Sequence, residues 1–400
     1  MMKILVQKFG GTSLATQESR ECAIKKIFEA QKDYDGVVVV VSAMGRSPQP
    51  YATDTLLNLI KEDERKVSPR EVDLLMACGE IISAVVLCNM LVKEGIKPYA
   101  MTGGTAGIIT NNNHLNAEII DVDTTNLLAV MKEGYIPVVA GFQGRGTNNE
   151  VTTIGRGGSD TSAVLLGEAL NAESVEIYTD VEGIMTADPR ICRAAKTIEE
   201  ISYTEVFQMA DSGAKVIHPR AVEIARRAGL PLIIKNTFSD LEGTNITRYE
   251  KLDKKKYLSD KIITSIAHRG NRVQFLVEGD IDDEQFFQEL ASRDVSIDII
   301  NIFPKRRVFT IEAHKKKTAI EVLEKYLATF SFIDDCCKVT IIGEKMTGVP
   351  GVMARIIRCL SEVDVEILQT ADSLSTISCL VKNSDLEKSV AALHKAFELD

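Results

Sequence analysis

The chain has 400 residues, more than one hydrophobic core ordinarily supports, so two or three domains are expected. Its 45% apolar and 26% charged residues are ordinary for a soluble globular protein. The 47 basic residues against 57 acidic ones leave a net charge of −10, which opposes nucleic acid as a partner unless a basic patch is segregated. In chain order, the apolar residues Ile4, Leu5 and Val6 run into Lys8-Phe9-Gly10-Gly11-Thr12-Ser13. Buried-strand candidates follow at 37–42, 99–102, 136–140, 175–179 and 232–235, with helix-period segments between them at 69–93, 123–133, 162–170 and 221–228. Such alternation predicts an α/β domain with a mainly parallel sheet covered on both faces and ligands at the carboxyl ends of its strands.

The run from Lys251 to Lys256 is interrupted by Asp253 and reads as a solvated linker. Beyond it the pattern changes to an internal repeat at an offset of 68 residues: 295–302 matches 363–370, and 308–313 matches 376–381. Each copy reads strand, helix, strand, strand, helix with room for a last strand, the split βαβ arrangement. No apolar run approaches the ~18–20 residues of a membrane span, and residues 4–6 are too short for the ~7–15 residue core of a signal peptide. The eight cysteines form no C-x-x-C pair and no zinc-ligand spacing, so no membrane association and a reducing cytoplasm are expected.

Two glycine-rich segments carry the chemistry. Gly10 and Gly11 have no Cβ, so successive backbone N–H groups can converge on phosphate oxygens at a strand-to-helix turn, with Lys8 adding a mobile charge. The second segment, Thr152-Thr153-Ile154-Gly155-Arg156-Gly157-Gly158-Ser159-Asp160, supplies the same ingredients ahead of a helix. Neither is a Walker A loop, since no G-x-x-x-x-G-K-[ST] occurs. Nor is the second a dinucleotide fingerprint, because Asp160 stands where the last glycine belongs. A lone Gly-Gly pair would be a tight turn; two such segments, each with a cation and hydroxyls, read as two halves of a phosphoryl-transfer site.

These motifs resemble a family. Lys-Phe-Gly-Gly-Thr-Ser at 8–13, Val-Ser-Ala-Met-Gly at 41–45, Gly-Glu at 79–80 and Gly-Phe-Gln-Gly at 141–144 come first. Arg-Gly-Gly-Ser-Asp at 156–160, Tyr-Thr-Asp-Val-Glu-Gly at 178–183, Thr-Ala-Asp-Pro-Arg at 186–190 and Gly-Ala-Lys-Val-Ile-His-Pro at 213–219 follow in order. Along essentially its whole length the chain resembles the aspartokinases, and the stretch 50–54 is similar to the short diaminopimelate-sensitive isozymes of spore-forming bacteria. The tandem tail looks like two ACT modules, whose interfaces bind amino acids in allosteric enzymes. The implied organisation is a catalytic domain at 1–250, a linker at 251–261 and ACT modules at 262–335 and 336–400 whose strands can interleave. The activity implied is transfer of the ATP γ-phosphoryl group to the side-chain carboxylate of L-aspartate, with Mg2+ on the phosphates. Feedback by diaminopimelate, lysine or threonine and homodimerisation through the ACT modules are implied as well. A kinase of another amino-acid carboxylate and a non-catalytic amino-acid sensor are the alternatives.

The resemblance also implies roles residue by residue. Lys8, held by Asp160, would stabilise the transferring phosphoryl group, with Gly10, Gly11 and Ser42 beside the phosphates. Arg156 would clamp the substrate α-carboxylate and Glu80 receive its ammonium, with Thr53, Phe142, Gly157, Gly158 and Ser159 completing the pocket. Thr53 is carried over across a 45–55 segment longer than in lysine-sensitive relatives. Thr179, Asp180, Met185, Arg190 and Lys215 would contact the nucleotide. No protein metal ligand is named, because magnesium on phosphates keeps most of its waters. His218 reads as structural, and Gly351, at the start of a helix near Val352, as a possible seat for an effector carboxylate.

Overall fold

The computed structural model describes residues 2–61, 65–214, 217–252, 262–326, 328–346 and 348–400. Contacts divide the chain into two units: Met1–Ile184, Thr197–Phe207 and Lys215–Tyr257 form the first, and Met185–Lys196, Gln208–Ala214 and Leu258–Asp400 the second. Residues 185–196 and 208–214, which the sequence assigns to the 1–250 domain, thus pack with the C-terminal unit. Most of the 251–261 linker, Lys215 and Thr347 lie outside the described residues.

Among the described residues of the first unit, the strands in chain order are β1 (Ile4–Phe9), β2 (Gly36–Val41), β3 (Pro98–Met101), β4 (Ile108–Thr110), β5 (Ile119–Val122) and β6 (Ile136–Ala140). Then come β7 (Gln143–Gly146), β8 (Val151–Thr153), β9 (Ser174–Thr179), β10 (Glu200–Ser202), β11 (Leu232–Asn236) and β12 (Thr244–Thr247). The helices are α1 (Gln17–Asp33), α2 (Thr53–Leu57), α3 (Pro69–Lys93), α4 (Thr125–Lys132), α5 (Gly158–Ala169), α6 (Tyr203–Asp211), whose last residues belong to the second unit, and α7 (Pro219–Ala228). The main sheet runs β10-β12-β11-β9-β1-β2-β6-β3, parallel except where β12 meets β11. A smaller sheet runs β5-β4-β7-β8. Strand β1 lies where the winding reverses: β2, β6 and β3 build out on one side, β9 and β11 on the other, the arrangement that opens a crevice at the strand ends.

Strand alternation then assigns the faces. Leu5 and Phe9 join a core with Ala23, Ile24, Ile27 and Ala30 of α1, whose spacing makes one apolar stripe, and with Leu87 and Leu91 of α3. Helix α1 starts at a capping box in which Thr16 Oγ1 accepts from Ser19 N–H at 3.1 Å and Ser19 Oγ accepts from Thr16 N–H at 2.8 Å. On the opposite face Gly167 lets α5 approach β1 and β9, since a Cβ there would stand 2.6 Å from Val175. Lys8 lies two residues beyond Val6 and so shares its face, which brings it out on the α5 side. Helix α3 corrects one expectation: it is 25 residues long and apolar enough to cross a bilayer by length and composition. It packs instead on β3, β6 and β8 and buries Glu80, as a core helix does.

The second unit contains β13 (Ser265–Glu278), β14 (Ile297–Phe303), β15 (Arg306–Glu312), β16 (Thr329–Ile342), β17 (Gln369–Asp372) and β18 (Thr376–Lys382), in one sheet ordered β14-β15-β13-β16-β18-β17. Its helices are α8 (Asp283–Ser292), α9 (Lys316–Lys325), α10 (Val352–Ser361) and α11 (Leu386–Ala396). The two repeats share strands. The 272–278 half of β13 pairs with β15 and with the first half of β16, while 265–269 pairs with 338–342, whose other edge carries β18. The second module therefore takes a strand from before the first, and β16 runs unbroken through residues 335 and 336. Residues Ala187 and Cys192 join the second module's apolar core, and Thr186 Oγ1 lies 2.8 Å from His394 Nε2 on α11.

Candidate active site

The carboxyl ends of β1, β2 and β6 meet the start of α5, and the residues there are held by backbone contacts that tolerate no side chain. Gly10 N–H donates to Tyr178 O at 3.1 Å, fixing the first glycine loop to the end of β9. A Cβ on Gly11 would stand 2.5 Å from Gly45 O and 2.8 Å from Ala43 O, so the loops after β1 and β2 touch backbone to backbone. Ser42 N–H donates to Phe9 O at 3.1 Å, which leaves Ser42 just past the end of β2 and only partly covered.

Helix α5 begins at Gly158, four residues before the sequence-based expectation of 162. Ser159 and Asp160 consequently lie in its first turn, where a carboxylate is favoured by the helix dipole. Lys8 Nζ stands 2.6 Å from Asp160 Oδ1, with side chains 11% and 13% exposed. Phe142 has φ +69°, a strained value for a side-chain-bearing residue; its N–H donates to Ser162 Oγ at 3.1 Å and its carbonyl accepts from Ile154 N–H at 3.0 Å. A Cβ on Gly158 would meet the Phe142 ring at 2.7 Å, and one on Gly141 would meet Ser159 at 2.9 Å. Phe142, Gly158, Ser159, Asp160 and Lys8 thus form one continuous surface.

Glu80 is 3% exposed on α3, and its Oε1 accepts from Ala43 N–H at 3.1 Å. Its Oε2 is buried without a partner, and burial pushes its pKa up to about 8, only partly offset by the Ala43 hydrogen bond. Gly79, one residue earlier, allows Ala43 and the Tyr51 carbonyl to press against the helix at 2.8 and 3.0 Å from where a Cβ would be. Thr53 follows that contact as the first residue of α2 and is half-buried. Arg156 is exposed and forms no hydrogen bond or ion pair with the described residues, leaving its guanidinium available. Gly157, at φ +69°, rests on the His218 ring. Burial lowers the His218 pKa, against the pull of Asp160.

The residues expected to contact a nucleotide divide between the two units. Thr179 ends β9 and Asp180 follows it in the first unit, where Thr179 Oγ1 donates to Asp180 Oδ1 at 3.1 Å and Arg46 pairs with Asp180 at 3.3 Å. Met185 and Arg190 belong to the second unit, and Asp188 receives Arg190 through Nε at 3.0 Å and NH2 at 2.6 Å. Sequence reading missed Ala43 as the partner of Glu80 and His218 as the support of Gly157; neither side chain announces the contact, although both sit inside motifs.

Comparison with known proteins completes the picture. Residues 3–236 match the amino acid kinase family and residues 331–395 the ACT domain. The chain is 45% identical over 402 residues to Aspartokinase 1 of Bacillus subtilis, with 100% of both chains covered. It is 38% identical to the aspartokinase of Geobacillus stearothermophilus, covering 100% of this chain and 98% of that one. The fold is similar to that of E. coli aspartokinase III in complex with aspartate and ADP, with a TM-score of 0.79 at 24% identity, 99% of this chain and 100% of that one being covered.

Proposed function

The chain belongs to the aspartokinases of the amino acid kinase family, and from that premise we propose which of its residues carry the reaction and what regulates it. The enzyme transfers a phosphoryl group from ATP to the side-chain carboxylate of aspartate and is regulated through its ACT modules. A carboxylate is ionised at neutral pH, so the nucleophile needs no general base, and rate must come from alignment and charge neutralisation. One aspartate oxygen bonds to the γ-phosphorus while the bond to the β,γ-bridging oxygen breaks, and ADP leaves.

The observation that carries the assignment is the largely buried Lys8–Asp160 pair at the meeting of β1 and α5. Asp160 holds the Lys8 ammonium in line for the transferring phosphoryl oxygens, and the Gly10 and Gly11 loop, with Ser42, lines the phosphate path. Arg156, without a partner among the described residues, takes the substrate α-carboxylate. Glu80, with its unpartnered Oε2, takes the ammonium, and Thr53, Phe142, Gly157, Gly158 and Ser159 enclose the side chain. Thr179, Asp180, Met185, Arg190 and Lys215 are assigned to the nucleotide on the strength of their motifs. A sensor without activity and a kinase of another carboxylate are disfavoured by kinship with enzymes named aspartokinase.

A divalent ion accompanies ATP, and we assign it as Mg2+. The ion is assigned to phosphate oxygens and water, and no protein ligand is proposed for it. When bound it offsets phosphate charge; Lys8 and the glycine N–H groups do the rest. Diaminopimelate is the proposed effector, with lysine and threonine the competitors, and a homodimer through the ACT modules the proposed assembly. Gly351, at φ +91° and capping α10 without a side chain, remains the proposed seat of the effector carboxylate. Cytoplasmic location agrees with eight unpaired cysteines.

The test is aspartate-dependent ADP release with magnesium, trapping acyl phosphate as the hydroxamate, with each effector added in turn. Hydroxamate from aspartate but not glutamate, formed roughly 10²–10³-fold more slowly by Lys8→Ala and suppressed by diaminopimelate alone, is the expected result. Suppression by lysine or threonine would overturn the effector assignment, and a Lys8→Ala enzyme of unimpaired rate the catalytic one.

A further inference from the structure

The buried carboxylate of Asp73 lies outside every motif used so far. It is 0% exposed on α3, and it accepts four hydrogen bonds: from Thr153 Oγ1 at 2.5 Å, Leu115 N–H at 3.1 and 3.2 Å to its two oxygens, and His114 Nδ1 at 2.8 Å. Burying a carboxylate is unfavourable, and a strand can be pinned to a helix by apolar contacts alone. What a carboxylate adds is registry: its acceptors fix the donors in direction as well as distance.

The donors it fixes surround the Arg156 loop. Thr153 is the last residue of β8, and Gly155, at φ +79°, turns the chain into Arg156. The neighbouring 114–116 loop braces the same turn, because a Cβ on Gly155 would stand 2.7 Å from Asn116 Oδ1. Glu80 sits seven residues beyond Asp73 on the same helix, close to two turns and about 10 Å along the axis. Gln143 Nε2 donates to Ala77 O at 3.2 Å, tying the strand after Phe142 to the stretch of helix between them.

We propose that Asp73 is a positioning residue that sets the separation of Glu80 and Arg156, and thereby selects aspartate over its homologue one methylene longer. The proposal rests on the assignment of Glu80 and Arg156 to the substrate ammonium and α-carboxylate. With both ends of the amino acid held, the reach left for the side-chain carboxylate is fixed by this brace, and a loosened brace admits a longer chain with poorer alignment.

The experiment uses the full chain with Thr153→Val, which removes the donor to Asp73 at nearly constant volume, Thr153→Ser, which restores it, Asp73→Asn, and Arg156→Ala. Expected for Thr153→Val is a rise of about tenfold in KM for aspartate with KM for ATP changed less than about twofold. The ratio of kcat/KM for aspartate over glutamate should fall, and Thr153→Ser should recover both. Asp73→Asn should shift the same two quantities in the same direction. Unchanged KM and selectivity in Thr153→Val, with Arg156→Ala impaired for aspartate, would overturn the positioning role while leaving the site assignment intact. Equal losses for ATP and aspartate that follow a lowered Tm would overturn it in favour of a purely structural role. An Arg156→Ala enzyme with normal KM for aspartate would overturn both readings.

Discussion

The ring of His218 occupies the space that a side chain at position 157 would need: a Cβ on Gly157 would fall 2.2 Å from its Cγ. Gly157 is also left-handed, at φ +69°, so two independent constraints exclude any other residue. Gly157→Ala is expected to destabilise by about 2–4 kcal/mol and to displace Ser159 and Asp160, with activity falling more than stability. The double variant with His218→Ala should regain part of both, since it relieves the clash but not the backbone strain. Thermal melts and initial rates of the two variants measure this.

The Lys8–Asp160 pair predicts unequal consequences for its two members. On the proposed assignment Lys8→Ala removes charge from the transferring group and should lower kcat by roughly 10²–10³ with KM for aspartate nearly unchanged. Asp160→Asn keeps the shape but frees the ammonium, so kcat should fall by a smaller factor. Steady-state rates for both, with circular dichroism to verify folding, distinguish the roles.

Glu80 gives a pH dependence with a definite sign. Its pKa, ordinarily 4.5, is pushed up by burial to about 8, so the free enzyme holds the carboxyl protonated at neutral pH. On the assignment proposed for Glu80, the substrate ammonium requires the ionised form, which costs about 1.4 kcal/mol for each pH unit below the folded value. Thus kcat/KM for aspartate should rise with pH up to about 8 and then level, and Glu80→Gln should abolish that rise while raising KM throughout. Stability moves oppositely: between 4.5 and about 8 the folded state holds a proton the unfolded state has lost, so the Glu80 contribution declines as pH rises. Urea melts of wild type and Glu80→Gln across that range check the second sign.

In the second unit Asp298 is shared by two cations, Arg272 at 3.2 Å and Lys338, whose side chains are 3% and 8% exposed. Asp298→Ala leaves both with reduced compensation, although Glu312 still meets Arg272 at 3.3 Å. A loss of about 3 kcal/mol in unfolding free energy is expected, with first-unit residues untouched. Replacing an exposed acid such as Asp372 in the same way should cost under about 0.5 kcal/mol, and denaturant melts compare them.

What the sequence by itself determined were features that are local or periodic. Glycine pairs beside Lys8 and Arg156 state anion chemistry because a missing Cβ and a fixed charge act within a few residues. Strand and helix periods likewise state a parallel sheet and a duplicated tail. The tertiary structure alone decided what depends on burial and on contacts between distant residues. Nothing near Glu80 in the chain announces that Ala43 and the sheets would cover it and raise its pKa. Nor does the repeat disclose that residues 265–269, ahead of the first copy, pair with 338–342 in the second. Residues 185–196 read as part of the catalytic half, yet Ala187 and Cys192 pack into the C-terminal core, because apolar area is buried wherever the fold offers a complementary surface and not according to sequence order.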